Sequence, residues 1–218
     1  MKMRLGIIWT GVLALGLMTT AQATLIDRGG GLIYDSDQDL TWLQDANYAG
    51  GPMTWEAAMA WAEGLSYGGY YHWRLPIVMD TGTSGCNFSY SGTDCGYNID
   101  TATGELAYMW YDILGNIAYC DTNGNCPQPG YGSTNTGPFT NVQFYNYWYG
   151  TEHATGTYDA WLFGAGSGIQ SYWNKPTNVF WAWAVHDGDV AASVPEPGTL
   201  LLLAAGLAGL SGARRRRC

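Results

Sequence analysis

Short aromatic-rich runs, each cut off by glycine, asparagine or aspartate, set the limits on what this chain can fold into. Tyr147-Trp148-Tyr149, Ala160-Trp161-Leu162-Phe163 and Phe180-Trp181-Ala182-Trp183-Ala184-Val185 read as strands of a final meander. The 218 residues include 11 Trp, 16 Tyr and 31 Gly, yet only 12% are charged. Aromatics at 15% exclude a disordered or solvating tail. The balance suits one loop-rich, aromatic-packed, secreted domain with appendages.

Ahead of the meander, Leu32-Ile33-Tyr34, the acidic turn at 35–39 and Leu40-Thr41-Trp42-Leu43 read as strand, turn, strand. Thr54 can cap a helix over 55–65, where Ala58, Trp61, Ala62 and Leu65 recur at i, i+3, i+4, i+7 and build one apolar face. A second helix is expected over 105–114, ended by Gly115-Asn116. The fold class is therefore α+β, with one or two helices and antiparallel strands.

Both ends read as addresses. Lys2 and Arg4 precede an apolar run at 5–18, and Ala21-Gln22-Ala23 supplies small residues for cleavage after Ala23. Residues 1–23 are thus a secretory signal peptide. At the other end Val194-Pro195-Glu196-Pro197 leads into a Leu/Ala/Gly stretch and then Arg214, Arg215, Arg216 and Arg217. A transmembrane helix is expected at about 199–213, short but able to span a thin bilayer, with the arginines on the cytoplasmic side. Motif, helix and basic cluster in this order resemble the PEP-CTERM sorting signal, here residues 195–218. The resemblance implies an exosortase-type enzyme as partner and a transient membrane anchor. It also implies a destination at the cell surface or in the matrix of a Gram-negative bacterium that makes exopolysaccharide.

Between the two ends, residues 24–194 hold three basic side chains (Arg28, Arg74, Lys175) against 17 acidic ones, a net of −14. No basic surface is available for nucleic acid. The field repels anionic polymers over about 8–10 Å at moderate salt. Neutral glycans, or acidic ones bridged by a divalent cation, are the partners this charge allows. Arg74, between Trp73 and Leu75, should bury its stem and needs a carboxylate partner.

Cys86, Cys95, Cys120 and Cys126 enter an oxidising compartment and lack the Cys-x2-Cys spacing of a zinc site. Of the three possible connectivities, Cys86–Cys95 with Cys120–Cys126 is favoured, because each short loop costs little to close.

A second resemblance rests on Gly31-Leu32-Ile33-Tyr34 with Leu40-Thr41-Trp42, Thr54-Trp55 with Ala57-Ala58, and His72-Trp73-Arg74-Leu75-Pro76. It continues in Tyr147-Trp148 with Thr151-Glu152, and in Ala182-Trp183-Ala184-Val185 with Asp187-Gly188-Asp189-Val190. Together these resemble the C-terminal domain of a bacterial collagen-like adhesin. That likeness implies a compact C-type-lectin-like domain over 24–194, adhesive or glycan-binding roles and no catalytic site. The chain departs from the pattern at His186, where related sequences often carry Arg, and in a Gly/Asn/Pro insertion at 121–138.

Other chemical signals are weaker. Asp35, Asp37 and Asp39 alternate as in a calcium loop, but Leu40 and Ala46 stand where an EF-hand needs Gly and Glu, so a solvated turn is expected. Asp121, Asn123 and Asn125 fit a turn closed by Cys120–Cys126. His72, His153 and His186 share no ligand spacing and read as packed or surface residues. The run at 164–168 does not open a helix, so phosphate binding is not expected. No cofactor or resident metal is expected, with calcium the one candidate.

The expectation is a non-enzymatic, exported, exosortase-sorted surface or matrix protein that adheres or binds carbohydrate. Trp148 and Trp173 are the expected ligand contacts, while Trp73 and Trp183 belong to the core. The alternatives are a structural matrix protein without a discrete ligand, or an enzyme of the sulfatase-modifying lectin-like fold with a reactive thiol pair. Intact-mass measurement of the exported protein should give a chain beginning at Thr24; one still beginning at Met1 would exclude the cleaved leader.

Overall fold

A computed structural model describes residues 25–82, 86 and 93–191. The expected signal peptide at 1–23, the sorting motif with Pro195, Glu196, Pro197 and the four arginines, and the expected helix at 199–213 lie outside them. Among the described residues no helix is long and apolar enough to cross a membrane.

The described elements follow as β1 (Leu25–Gly29), β2 (Leu32–Asp35), β3 (Leu40–Leu43), α1 (Trp55–Glu63), α2 (Glu105–Tyr108), β4 (Asn146–Glu152), β5 (Asp159–Gly164), β6 (Ile169–Asn174) and β7 (Val185–Asp187). Two antiparallel sheets result, one ordered β1-β2-β3-β7 and the other β4-β5-β6. The α+β class holds.

The hairpin of β2 and β3 forms as expected, with Leu32 opposite Leu43 and Asp35 opposite Leu40. Its acidic turn is not simply solvated. The Asp35 carboxylate is buried and accepts the backbone N–H groups of Asp37 and Gln38 at 2.9 and 3.4 Å. Burial raises its pKa.

Thr54 caps α1 by accepting the Ala57 amide, and Ala58 and Ala62 point into the core with Trp61 and Leu65 beside them. The second helix starts at Glu105 but changes pitch: a π-helical turn spans Met109–Ile113, closed by Leu114 N–H donating to the Met109 carbonyl. The wider turn lets the consecutive residues Met109 and Trp110 both bury. Gly115, at φ 65°, ends it.

In the second sheet, β4 and β5 are buried on both faces. Tyr147, Tyr149, Trp161 and Phe163 enter the main core, while Trp148, Ala160 and Leu162 pack with Ala58, Ala62, Leu75 and Ala182. This period-two alternation corrects the expectation for Trp148. Its ring is 0% exposed, its indole N–H donates to the Met53 carbonyl at 2.9 Å, and it packs on Phe180. It cannot be a ligand contact in this fold. Trp73 and Trp183 are core, as expected.

The run at 180–185 is also corrected. Only its end joins a strand, β7, and that strand belongs to the first sheet. Phe180 and Trp181 make single bridges to Met53 and Tyr147, so the segment crosses between the sheets.

The stretch at 73–78 stitches the two sheets together. The Arg74 backbone exchanges both hydrogen bonds with Val185 of β7, at 2.9 and 2.8 Å. Two residues on, the Pro76 carbonyl accepts Gly150 N–H of β4 at 2.7 Å. The Arg74 side chain has the carboxylate partner it needs, and in fact two. Its donors reach Glu105 twice at 2.8 Å, Asp187 at 2.9 and 2.6 Å, and the Leu75 carbonyl at 3.1 Å. Burial works to lower the guanidinium pKa, but the bonds and charges of Glu105 and Asp187 outweigh it and raise the pKa.

Replacing Trp148 by Ala should cost about 3–5 kcal/mol in chemical denaturation, the range for truncating a buried aromatic. Trp173→Ala, at a ring 55% exposed, should cost less than about 1 kcal/mol. Equal losses at the two positions would contradict the two-faced burial of β4.

Candidate functional site

Three segments distant in sequence meet beside the start of β4. The first is the loop closed by Cys120 and Cys126, which stand at disulfide distance with Cα atoms 4.4 Å apart. Inside it the Asp121 carboxylate accepts the amide N–H groups of Asn123 and Asn125, both at 2.8 Å, and the Asn125 side-chain amide at 2.7 Å. The Asn125 contacts lead in holding the Asp121 pKa below the usual carboxylate range. The turn is therefore explained without a metal.

Tyr119 precedes this loop and Tyr131 follows it; their rings meet edge to face at 4.9 Å. Tyr119 N–H donates to the Ser167 carbonyl at 2.8 Å, which fastens the loop to the turn between β5 and β6. Cys86 and Cys95 also stand at disulfide distance, Cα atoms 4.8 Å apart, and Gly96 next to them exchanges hydrogen bonds with Gln170 of β6. That pairing carries Tyr97 to within 6.3 Å of the Tyr119 ring.

The third segment is Phe144-Tyr145, just before β4. Phe144 is 53% exposed and Tyr145 63%, yet neither ring is loose. Tyr145 lies parallel on Trp181, centroids 5.1 Å apart and planes 7° apart. Phe144 sits on two glycines. A Cβ at Gly166 would stand 2.7 Å from the Phe144 carbonyl oxygen and 2.8 Å from its ring, and one at Gly132, with φ +94°, would also strike the ring. Together with Tyr97, Tyr119 and Tyr131 these two rings line a shallow cleft of about 370 Å³. Asn146 and Ser167 supply its amide and hydroxyl, and among the described residues no charged side chain lines it.

A second groove, of about 540 Å³, runs between the hairpin turn, residues 77–79 and the start of α2. Ile77 and Met79 are exposed along it. Tyr108 donates to Asp37 at 2.8 Å, which pushes its phenol up to about 12. Glu105, at its edge, is already held by Arg74 and by the Ile77 amide.

The residues expected at the site separate. Trp148 is core. Trp173 is exposed on β6 opposite Ala160, outside the cleft lining. His153 is buried and stacks on Tyr172 with centroids 3.7 Å apart, and His186 packs against Trp73. Among the described residues no group of three or more His, Cys, Asp or Glu is placed to hold a metal ion. Tyr97, Tyr119, Tyr131 and Phe144 were not expected at the site. The signal that could have found them is two tyrosines flanking a cysteine-closed insertion.

The three cations of the domain are all engaged. Arg28 holds Asp189 and lies 5.2 Å from the Tyr34 ring centroid, and Arg74 holds Glu105 and Asp187. Lys175 holds Glu152 and lies 4.6 Å from the Trp55 ring centroid.

Among known families, the model of the PEP-CTERM protein-sorting motif matches residues 193–217. That motif implies recognition by an exosortase-type enzyme, export, and transient membrane anchoring with processing for the cell surface. The match covers the tail alone, and the likeness of the domain to an adhesin module has no counterpart in it. No curated protein and no solved structure matches the chain.

Gly166→Ala should displace Phe144 and cost about 1–3 kcal/mol, as overpacking does. The aromatic NMR resonances of Phe144 should shift with it. Unchanged resonances together with wild-type stability would contradict the glycine seat.

Proposed function

We propose that this exported, exosortase-sorted protein carries a non-enzymatic domain that binds carbohydrate at the aromatic cleft and so adheres to the cell surface or matrix. The observation that carries this reading is the pair of exposed rings, Phe144 and Tyr145, each braced from behind. An aromatic ring offers dispersion contact to the C–H face of a sugar and excludes water from it. A ring already fixed loses little freedom on binding. Asn146 and Ser167 add directional bonds to hydroxyl groups. A shallow site buries little area, so affinity belongs in the range of about micromolar to millimolar.

The lectin-like fold and the adhesin likeness belong to the same proposal. Its support is the cleft, together with a sorting signal that delivers the domain outside the cytoplasmic membrane. The thiol pair that the enzyme reading calls for is otherwise engaged, since the four domain cysteines stand at disulfide distance in two pairs, Cys86 with Cys95 and Cys120 with Cys126. No residue is assigned a catalytic role.

Retention of the exported protein on extracellular matrix from a producing culture tests the proposal. Tyr145→Ala should lose retention by about tenfold, a loss of about 1.4 kcal/mol, while Trp173→Ala should keep it. Equal retention of Tyr145→Ala and wild type would remove the cleft from the account. No retention of the wild type would favour a structural protein without a discrete ligand.

A further inference from the structure

Charge decides which carbohydrate the cleft can take. We infer that its ligand is a neutral hexopyranose polysaccharide and that polyanionic glycans are excluded, an inference that rests on the carbohydrate reading above. Binding a carboxylated or sulfated chain needs a cation at the site, from a side chain or from a bridging metal. Arg28, Arg74 and Lys175 are the only basic side chains between residues 24 and 194, and each already holds carboxylates of this protein. Freeing Arg74 would leave Glu105, a half-buried carboxylate whose two oxygens both accept from it, without its counter-charge.

A metal bridge fares no better at the cleft. The carboxylate nearest in sequence to its tyrosines is Asp121, and both its oxygens already accept amide N–H groups. The cleft itself is lined by phenols, Phe144, an amide and a hydroxyl. Around it the domain carries a net charge of −14, which raises the local cost of any anionic chain.

What the lining can do is stack. Hexopyranoses whose hydroxyl groups are mostly equatorial present C–H faces above and below the ring, and Tyr145 and Phe144 offer braced aromatic faces to them. Because no ion pair forms, binding should be insensitive to salt.

The test is affinity electrophoresis of the exported protein in gels containing hydroxyethylcellulose or galactomannan, against gels containing alginate or polygalacturonate. Each is run at low and high salt, with calcium or with EDTA. The neutral polymers should retard wild type equally under all four conditions. Tyr145→Ala and Phe144→Ala should each weaken that retardation about tenfold, with unfolding midpoints near that of wild type. Retardation by the acidic polymers, whether dependent on calcium or on low salt, would overturn the inference and leave the carbohydrate reading standing. Retardation by none of the polymers would overturn both. Wild-type behaviour of both variants in the neutral gels would show that the sugar binds elsewhere, which also overturns the inference.

Discussion

Arg74 is the contact on which the two halves of the domain depend. Its backbone is hydrogen-bonded to β7 of one sheet, while Pro76, two residues later, is bonded to β4 of the other. Trp73 and Leu75 point to opposite sides of the same extended stretch, one into each hydrophobic cluster. The guanidinium then ties β7 to the start of α2 through Asp187 and Glu105, with every N–H donor engaged. A lysine could supply the charge but not the planar fork that reaches two carboxylates and a carbonyl together. The cost of burying the guanidinium is offset by the hydrogen bonds and charges of Glu105 and Asp187.

The same scarcity of cations links fold to function. An acidic domain with three basic side chains uses each of them to join elements that lie far apart in sequence: Arg28 to Asp189, Arg74 to Glu105 and Asp187, Lys175 to Glu152. None is left for a ligand, and in the proposed reading recognition falls to uncharged aromatic faces. The chain leaves the core at Val190, which is buried and whose N–H donates to the Thr41 hydroxyl at 3.1 Å.

Local signals were legible in the sequence and long-range ones were not. The Thr54 cap with its i, i+3, i+4, i+7 face, the hairpin at 32–43 and the two near-neighbour cysteine pairs depend on residues close together in the chain, and each appears as expected. That Arg74 needs a carboxylate was legible, because a charge beside Trp73 and Leu75 has few alternatives, but its partners Glu105 and Asp187 were not. Trp148 misled because alternation along β4 shows which residues share a face, not that α1 covers the second face as well. The run at 180–185 has strand-forming residues throughout, but its neighbours change from one sheet to the other midway. The cleft was illegible for the same reason: Tyr97, Tyr119 and Phe144 come together only through the pairing of Gly96 with Gln170 and of Tyr119 with Ser167.

A crystal structure of the exported protein with a neutral oligosaccharide would show whether the aromatic cleft is preformed on a rigidly stitched domain. The account predicts a sugar ring lying flat on Tyr145, with Phe144 still seated on Gly132 and Gly166 and Tyr145 still parallel to Trp181. A sugar bound in the groove between Ile77 and Tyr108, or a cleft whose rings have moved off their supports to receive it, would contradict the account.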